Sequence, residues 1–180
     1  MIKYHIGCGK RNWPDWVNID GGNFPHVTDH DVTLQYQPNN YIDLIYSSHL
    51  IAYFDRAEVI NLLKSWFNKL KPGGTLEIAT PDFNRIAEMY HCGLPLDSIL
   101  GPMYGKMTMG TETIYHKTTW DYQSLQAVLY YCGFRDIERY DHKKTCHPNT
   151  GERTDFYDDH SAAYIERTLI SLNVRATKLA

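Results

Sequence analysis

The 180-residue sequence predicts an α/β fold, a mainly parallel sheet covered by helices. Three observations predict it. Short apolar runs alternate with amphipathic segments along the chain. The first run passes directly into a glycine turn, Gly7-Cys8-Gly9, and the second ends on Asp20. Such a turn lets a ligand approach the backbone closely, and an acid at the end of the next strand can accept hydrogen bonds from ribose hydroxyls. Together they suggest a nucleoside-containing cofactor.

In chain order, residues 3–6 form the first strand and residues 16–19 the second. Residues 27–33 are expected to contain a third, ending near Asp31 and Val32. Residues 41–46 (Tyr-Ile-Asp-Leu-Ile-Tyr) read as a buried fourth strand and residues 74–79 as a fifth. Between them a helix is predicted over 56–70. Asp55 and Glu58 make a capping-box start, Lys71-Pro72-Gly73-Gly74 ends it, and Val59, Leu62, Leu63, Trp66 and Leu70 share one face. A second helix over 122–132 opens on Asp121 and closes at Gly133, with Leu125, Val128 and Leu129 inward. Residues 134–140 and 169–176 read as the last two strands. The final one alternates Ile170, Leu172 and Val174 with Ser171, Asn173 and Arg175. Residues 84–120 fall outside this plan and read as a helix plus a cap or lid on a single domain spanning 1–180.

One connection is too short for a standard unit. Gly9 and Asp20 are eleven positions apart, against about 20 in the dinucleotide fingerprint. Pro14 stands within that stretch, and Gly9 is followed by Lys10 and Arg11 with no third fingerprint glycine after them. The first connecting helix is therefore expected to be reduced to a loop, with Trp13 or Trp16 covering the sheet in its place.

Composition bounds the setting. A formal charge of −3 provides no basic field for duplex nucleic acid. The 13% aromatic content suits a compact fold with a lined pocket. Cys8, Cys92, Cys132 and Cys146 show no metal or disulfide spacing. No signal segment is visible, and no apolar stretch reaches the roughly 18–20 residues needed to span a bilayer. A cytoplasmic protein with free thiols and no membrane partner is expected.

The motifs, in order, are Ile6-Gly7-Cys8-Gly9, Asp20, Asp31-Val32, Ile42-Asp43-Leu44-Ile45 and Leu70-Lys71-Pro72-Gly73-Gly74. This set resembles class I S-adenosylmethionine-dependent methyltransferases. Pro81-Asp82, His116-Lys117 and the run at 170–174 are similar to a small subgroup of predicted methyltransferases often found near polysaccharide biosynthesis genes. The resemblance implies a Rossmann-like seven-stranded sheet with an antiparallel last strand, and S-adenosylmethionine as cofactor. By position, Gly7, Cys8 and Gly9 would approach its methionine portion. Asp20 would bind the ribose, Asp31 and Val32 the adenine, and Ser47 would line the pocket.

Methyl transfer from a sulfonium needs alignment and often a base. His49, after the fourth strand, and His116, before the last helix, are the candidate bases. Asp82 could orient a hydroxyl or the cofactor amine, or simply cap a helix. Cys8 reads as a small turn residue. His142, His147, Asp155, Asp158, Asp159 and His160 match no metal spacing and read as a solvated polar loop.

The leading expectation is methyl transfer to a hydroxyl of a small molecule or saccharide. The alternatives are a nucleic-acid methyltransferase and a non-catalytic binding subunit. The first lacks a concentrated basic channel, since Lys64, Lys69, Lys71, Lys143 and Lys144 are scattered. The second draws on the missing helix, because a bare sheet face invites a partner or a homodimer.

Overall fold

The computed structural model describes residues 1–145, 147, 164–165 and 168–180. Its main sheet runs β2 (Val17–Ile19), β1 (Lys3–Ile6), β3 (Ile42–Ser48), β4 (Leu70–Pro81), β10 (Ser171–Thr177) and β7 (Arg135–Arg139). The first four strands are parallel; β10 is antiparallel to both of its neighbours. β1 is followed on one side by β2 and on the other by β3. The chain thus reverses its direction of winding at β1, and the carboxyl ends around β1 and β3 form the crevice where open α/β sheets bind ligands.

Among the described residues this sheet has six strands, which corrects the expected seven. The missing strand is the one predicted over 27–33, where only Asp29 bridges to Ile19. Local side chains take the backbone donors that a strand would use. Asp29 accepts from the Asp31 N–H at 2.9 Å, and Asp31 accepts from Thr33 N–H at 2.9 Å and Gln35 N–H at 2.8 Å. Aspartate competes with sheet pairing in this way, and three such bonds in five residues make a turn.

α1 (Arg56–Lys69) carries both halves of the Asp55–Glu58 capping box and buries Val59, Leu62, Leu63 and Trp66. β4 starts at Leu70, four residues before the predicted strand, because Leu70 pairs with Ile42 across an irregularity in the ladder. α4 (Tyr122–Tyr131) is capped by Asp121 and buries Leu125 and Leu129. These helices share the main core with Ile6, Ile45, Leu76, Ile78, Leu172 and Val174. At about 1.5–3 kcal/mol for each large buried apolar side chain, this layer is the principal source of stability.

No helix joins β1 to β2, as the short spacing requires. Trp13 and Trp16 pack on Leu44 and Tyr46 over the face it would have covered. His147 completes that cover, its ring 3.9 Å from the Tyr46 ring centroid. The face is therefore not bare, and the premise for a partner there falls away. His147 also corrects the solvated-loop expectation. It is buried, with Nε2 2.7 Å from Glu77 Oε2, while Arg175 donates to Glu77 Oε1 at 2.8 Å through Nε. Asp155, Asp158, Asp159 and His160 lie outside the described residues.

The region expected to cap the sheet holds α2 (Phe83–His91), α3 (Leu96–Tyr104) and the hairpin of β5 (Lys106–Met109) and β6 (Glu112–Tyr115). Ile86 and Ile99 anchor the helices on Ile170, just before β10. A short hairpin, β8 (Tyr164–Ile165) with β9 (Thr168–Leu169), precedes β10. Among the described residues no helix is long and apolar enough to cross a membrane. Cys8 and Cys132 are buried free thiols and Cys92 is an exposed one.

Candidate active site

A cavity of about 770 Å³ opens at the carboxyl ends of β1 to β4, a size typical of small-molecule sites. One half is built by the turn after β1. Gly7 has φ +76°, and a Cβ there would lie 3.1 Å from the Leu50 Cβ. Gly9 has φ +57° and open space where a Cβ would be. Both positions select glycine for its access to positive φ, and Gly7 also for the close approach of Leu50. The Gly7 N–H donates to the Ile19 carbonyl at 2.8 Å, tying the turn to β2.

Asp20, at the end of β2, accepts from the Gly9 N–H at 2.8 Å and the Gly22 N–H at 2.7 Å, one on each oxygen. A carboxylate has about four acceptor positions, so two remain for ribose hydroxyls. Gly7, Gly9, Asp20 and Val32 line the cavity together. Cys8, Asp31 and Ser47 do not appear on its wall. Cys8 is buried beneath the turn, and burial, aided by Asp20, pushes its thiol up to about 12. It is not a thiolate at neutral pH. The Asp31 carboxylate is spent on Thr33 and Gln35, so its side chain shapes the turn that presents Val32. Ser47 is buried among the strands; its neighbour Ser48 lines the cavity instead.

His49 and His116 both line the cavity, and Asp82 does not. His49 follows β3 at φ +52°, a conformation that histidine tolerates better than most residues. Its Nε2 lies 3.0 Å from Ser171 Oγ. Asp82 caps α2 through the Asn84 N–H at 3.2 Å, and its buried carboxylate meets Arg139 Nη1 at 3.2 Å. The capping alternative thus describes its observed contacts.

His116 sits where the cap returns to the sheet. Its backbone N–H donates to the Tyr104 carbonyl, and the following Lys117 N–H donates to Ala52, both at 2.7 Å. Its ring stands edge-on to Tyr53, with centroids 4.7 Å apart. Burial lowers its pKa, only partly offset by carbonyls of Met103 and Pro102. His116 is therefore neutral at pH 7. Nδ1 lies 3.3 Å from the Met103 carbonyl, which can only accept, so Nδ1 carries the proton and Nε2 the lone pair. A neutral ring with one free nitrogen has the protonation state of a general base.

Sequence reasoning missed Ser48 and the cap residues Pro102, Gly105, Met107 and Ile114, all on the cavity wall. The one signal available was Gly105 after a helix, a position that would have marked the cap's turn. Lys117 is neutralised by Glu58 at 3.2 Å. Among the described residues no cluster of three or more His, Cys, Asp or Glu is arranged to hold a metal.

No protein-family model matches the sequence, and no curated protein matches it significantly. Solved structures do. A methyltransferase from Archaeoglobus fulgidus, described as SAM-dependent, superposes with TM-score 0.58 at 17% identity over 98% of this chain and 85% of that one. The 1,6-didemethyltoxoflavin-N1-methyltransferase of Burkholderia thailandensis, with bound S-adenosylhomocysteine, gives TM-score 0.57 at 11% identity over 99% and 71%. Human N-acetylserotonin methyltransferase in complex with SAM gives 0.59 at 13% over 99% and 48%. The chain therefore has the Rossmann-like α/β fold of S-adenosylmethionine-dependent methyltransferases.

Proposed function

We propose that the protein transfers the methyl group of S-adenosylmethionine to a hydroxyl of a small-molecule acceptor. The observation that carries this reading is the pairing, in one cavity, of the Gly7–Gly9 turn and Asp20 with a neutral His116. The cavity fits the cofactor: the turn presents no Cβ to it at Gly9, and Asp20 retains free acceptor positions. When bound, the cofactor supplies an electrophilic methyl on a sulfonium.

The chain's own residues then have separable tasks. Gly7 and Gly9 admit the methionine portion against the backbone, Asp20 holds the ribose, and Val32 packs on the adenine. His116 Nε2 takes the acceptor's proton, and the cap from α3 to β6 excludes water. His49, held by Ser171, orients the acceptor. Asp82 caps α2 and pairs with Arg139. A saccharide acceptor is favoured by the sequence resemblance, and a hydroxyl by the neutral base.

Calorimetric titration with S-adenosylmethionine and S-adenosylhomocysteine tests the reading. Saturable binding of both, at one site per chain, is expected. Folded protein that binds neither contradicts it.

A further inference from the structure

β5 and β6 stand at the cavity as a two-stranded hairpin, and strand alternation sorts its side chains. Met107 pairs with Ile114, and Thr108 with Thr113. Met107, Met109 and Ile114 line the cavity, whereas the two threonines are exposed and do not. Lys106, where the hairpin leaves α3, also lines it. The hairpin thus turns methionine and isoleucine inward and threonine outward, as a period of two requires. Its base is tied down by the His116 N–H on the Tyr104 carbonyl and the Lys117 N–H on the Ala52 carbonyl. Its tip reaches the cofactor-binding signature: a Cβ on Gly21 would lie 3.1 Å from Met109 Cε. Gly21 directly follows Asp20, and its φ lies outside the left-handed region. The missing side chain there provides space rather than a special turn, and Met109 takes that space.

Resting on the methyltransferase reading, we propose that Met109 is a cofactor-binding residue, and that the hairpin is a flap held down by the cofactor. Met109 would cover the ribose that Asp20 holds and the edge of the adenine on Val32. A two-stranded hairpin is marginal in water and needs a surface against its apolar face. Here that face is only partly covered: Met107 is 37% exposed, and Met109 and Ile114 are half-buried. The face looks into the cavity, so an occupant supplies the missing contact. Which occupant follows from the position of Met109, beside Gly21 and Asp20. The thioether side chain is unbranched and polarisable, and adapts to the irregular edge of a nucleoside. Covering the nucleoside removes apolar surface of both partners from water. It also obstructs the cofactor's exit, an effect read in the dissociation rate.

The probe is S-adenosylhomocysteine, with affinity and dissociation rate measured by surface plasmon resonance on the immobilised full chain. Met109→Asp should weaken binding by at least about tenfold, mostly through faster dissociation, because it sets a charge beside Asp20 and removes the apolar cover. Met109→Leu keeps the cover and should stay near wild type. Thr108→Asp places the same charge one residue away on the outer face and should leave affinity unchanged. In wild-type protein, amide hydrogen exchange over residues 106–115 should slow on saturation with S-adenosylhomocysteine. Unchanged affinity in Met109→Asp, an equal loss in Thr108→Asp, or exchange indifferent to the ligand overturns the flap proposal alone, provided wild-type protein binds. Failure of folded wild-type protein to bind S-adenosylhomocysteine overturns the methyltransferase reading on which it rests.

Discussion

Gly105 and His116 are fitted to each other: a Cβ on Gly105 would fall 2.3 Å from His116 Nε2 and 2.6 Å from Cε1. Gly105 also has φ +41°, where other residues are strained. The glycine ending α3 thus sets where the candidate base can stand. Gly105→Ala should displace the imidazole and lower kcat about 100-fold, the scale of a 1 Å misplacement. Affinity for S-adenosylhomocysteine should stay the same, because the added Cβ would meet His116 and no residue of the Gly7–Gly9 turn or Asp20. Steady-state kinetics beside calorimetry check both halves; an equal loss of cofactor affinity would count against the separation.

The pH dependence follows from the direction of the His116 shift. Burial lowers its pKa below the ordinary 6.5, so the neutral base persists to lower pH than a free histidine would. The acid limb of kcat should have its midpoint below that value, with a plateau through neutrality. Lys117, Glu58 and Tyr53 are the titratable neighbours on this wall. Tyr53 is itself pushed upward by burial, and remains protonated across the limb. A midpoint above 6.5 would remove His116 as the base.

Across the sheet, the buried Glu77 carboxylate meets His147 Nε2 on one oxygen and the partly exposed Arg175 guanidinium on the other. Burial opposes its ionisation, but hydrogen bonds and charge from His147 and Arg175 outweigh that and hold its pKa below the usual 4.5. A carboxylate with a lowered folded pKa contributes stability above its unfolded value, and that contribution is lost as pH falls through the folded one. Glu77→Gln should cost about 3 kcal/mol at neutral pH, since it strands its partners. The difference from wild type should shrink below pH 4.5. Urea denaturation at several pH values measures it, and a pH-independent difference would contradict the ion-pair account.

Thiol reactivity offers a check on the turn. Cys92 is exposed, whereas Cys8 and Cys132 are buried with thiols pushed upward. Alkylation of the native protein near pH 7.5, followed by peptide mapping, should modify Cys92 well before either. Rapid labelling of Cys8 would place it at the cavity surface.

Much of the frame was legible because its signals are local. Asp55 and Glu58 announce α1, Asp121 announces α4, and the short run from Gly9 to Asp20 announces a missing helix. The strand expected over 27–33 was misread for a reason equally local. Its β-branched residues Val27, Thr28, Val32 and Thr33 suit a strand, yet Asp29 and Asp31 direct their carboxylates at the backbone, a competition that composition does not register. His147 was illegible because its partners, Glu77 and Tyr46, are 70 and more positions away. In the site, the glycine turn and Asp20 could be read from their order after strands. The cap residues could not, since no motif fixes how α3 and the hairpin fold back over Ile170.

The central claim is that Asp20 and the glycine turn hold the cofactor's ribose and methionine portions. Asp20→Ala removes the carboxylate while leaving the cavity open, so S-adenosylhomocysteine binding should weaken by about 1–3 kcal/mol, the cost of lost hydrogen bonds to the ribose. Isothermal titration of wild-type and variant protein, with folding verified by circular dichroism, makes the comparison. Saturable wild-type binding with a weakened variant is the predicted result. Unchanged affinity in a folded Asp20→Ala protein would contradict it.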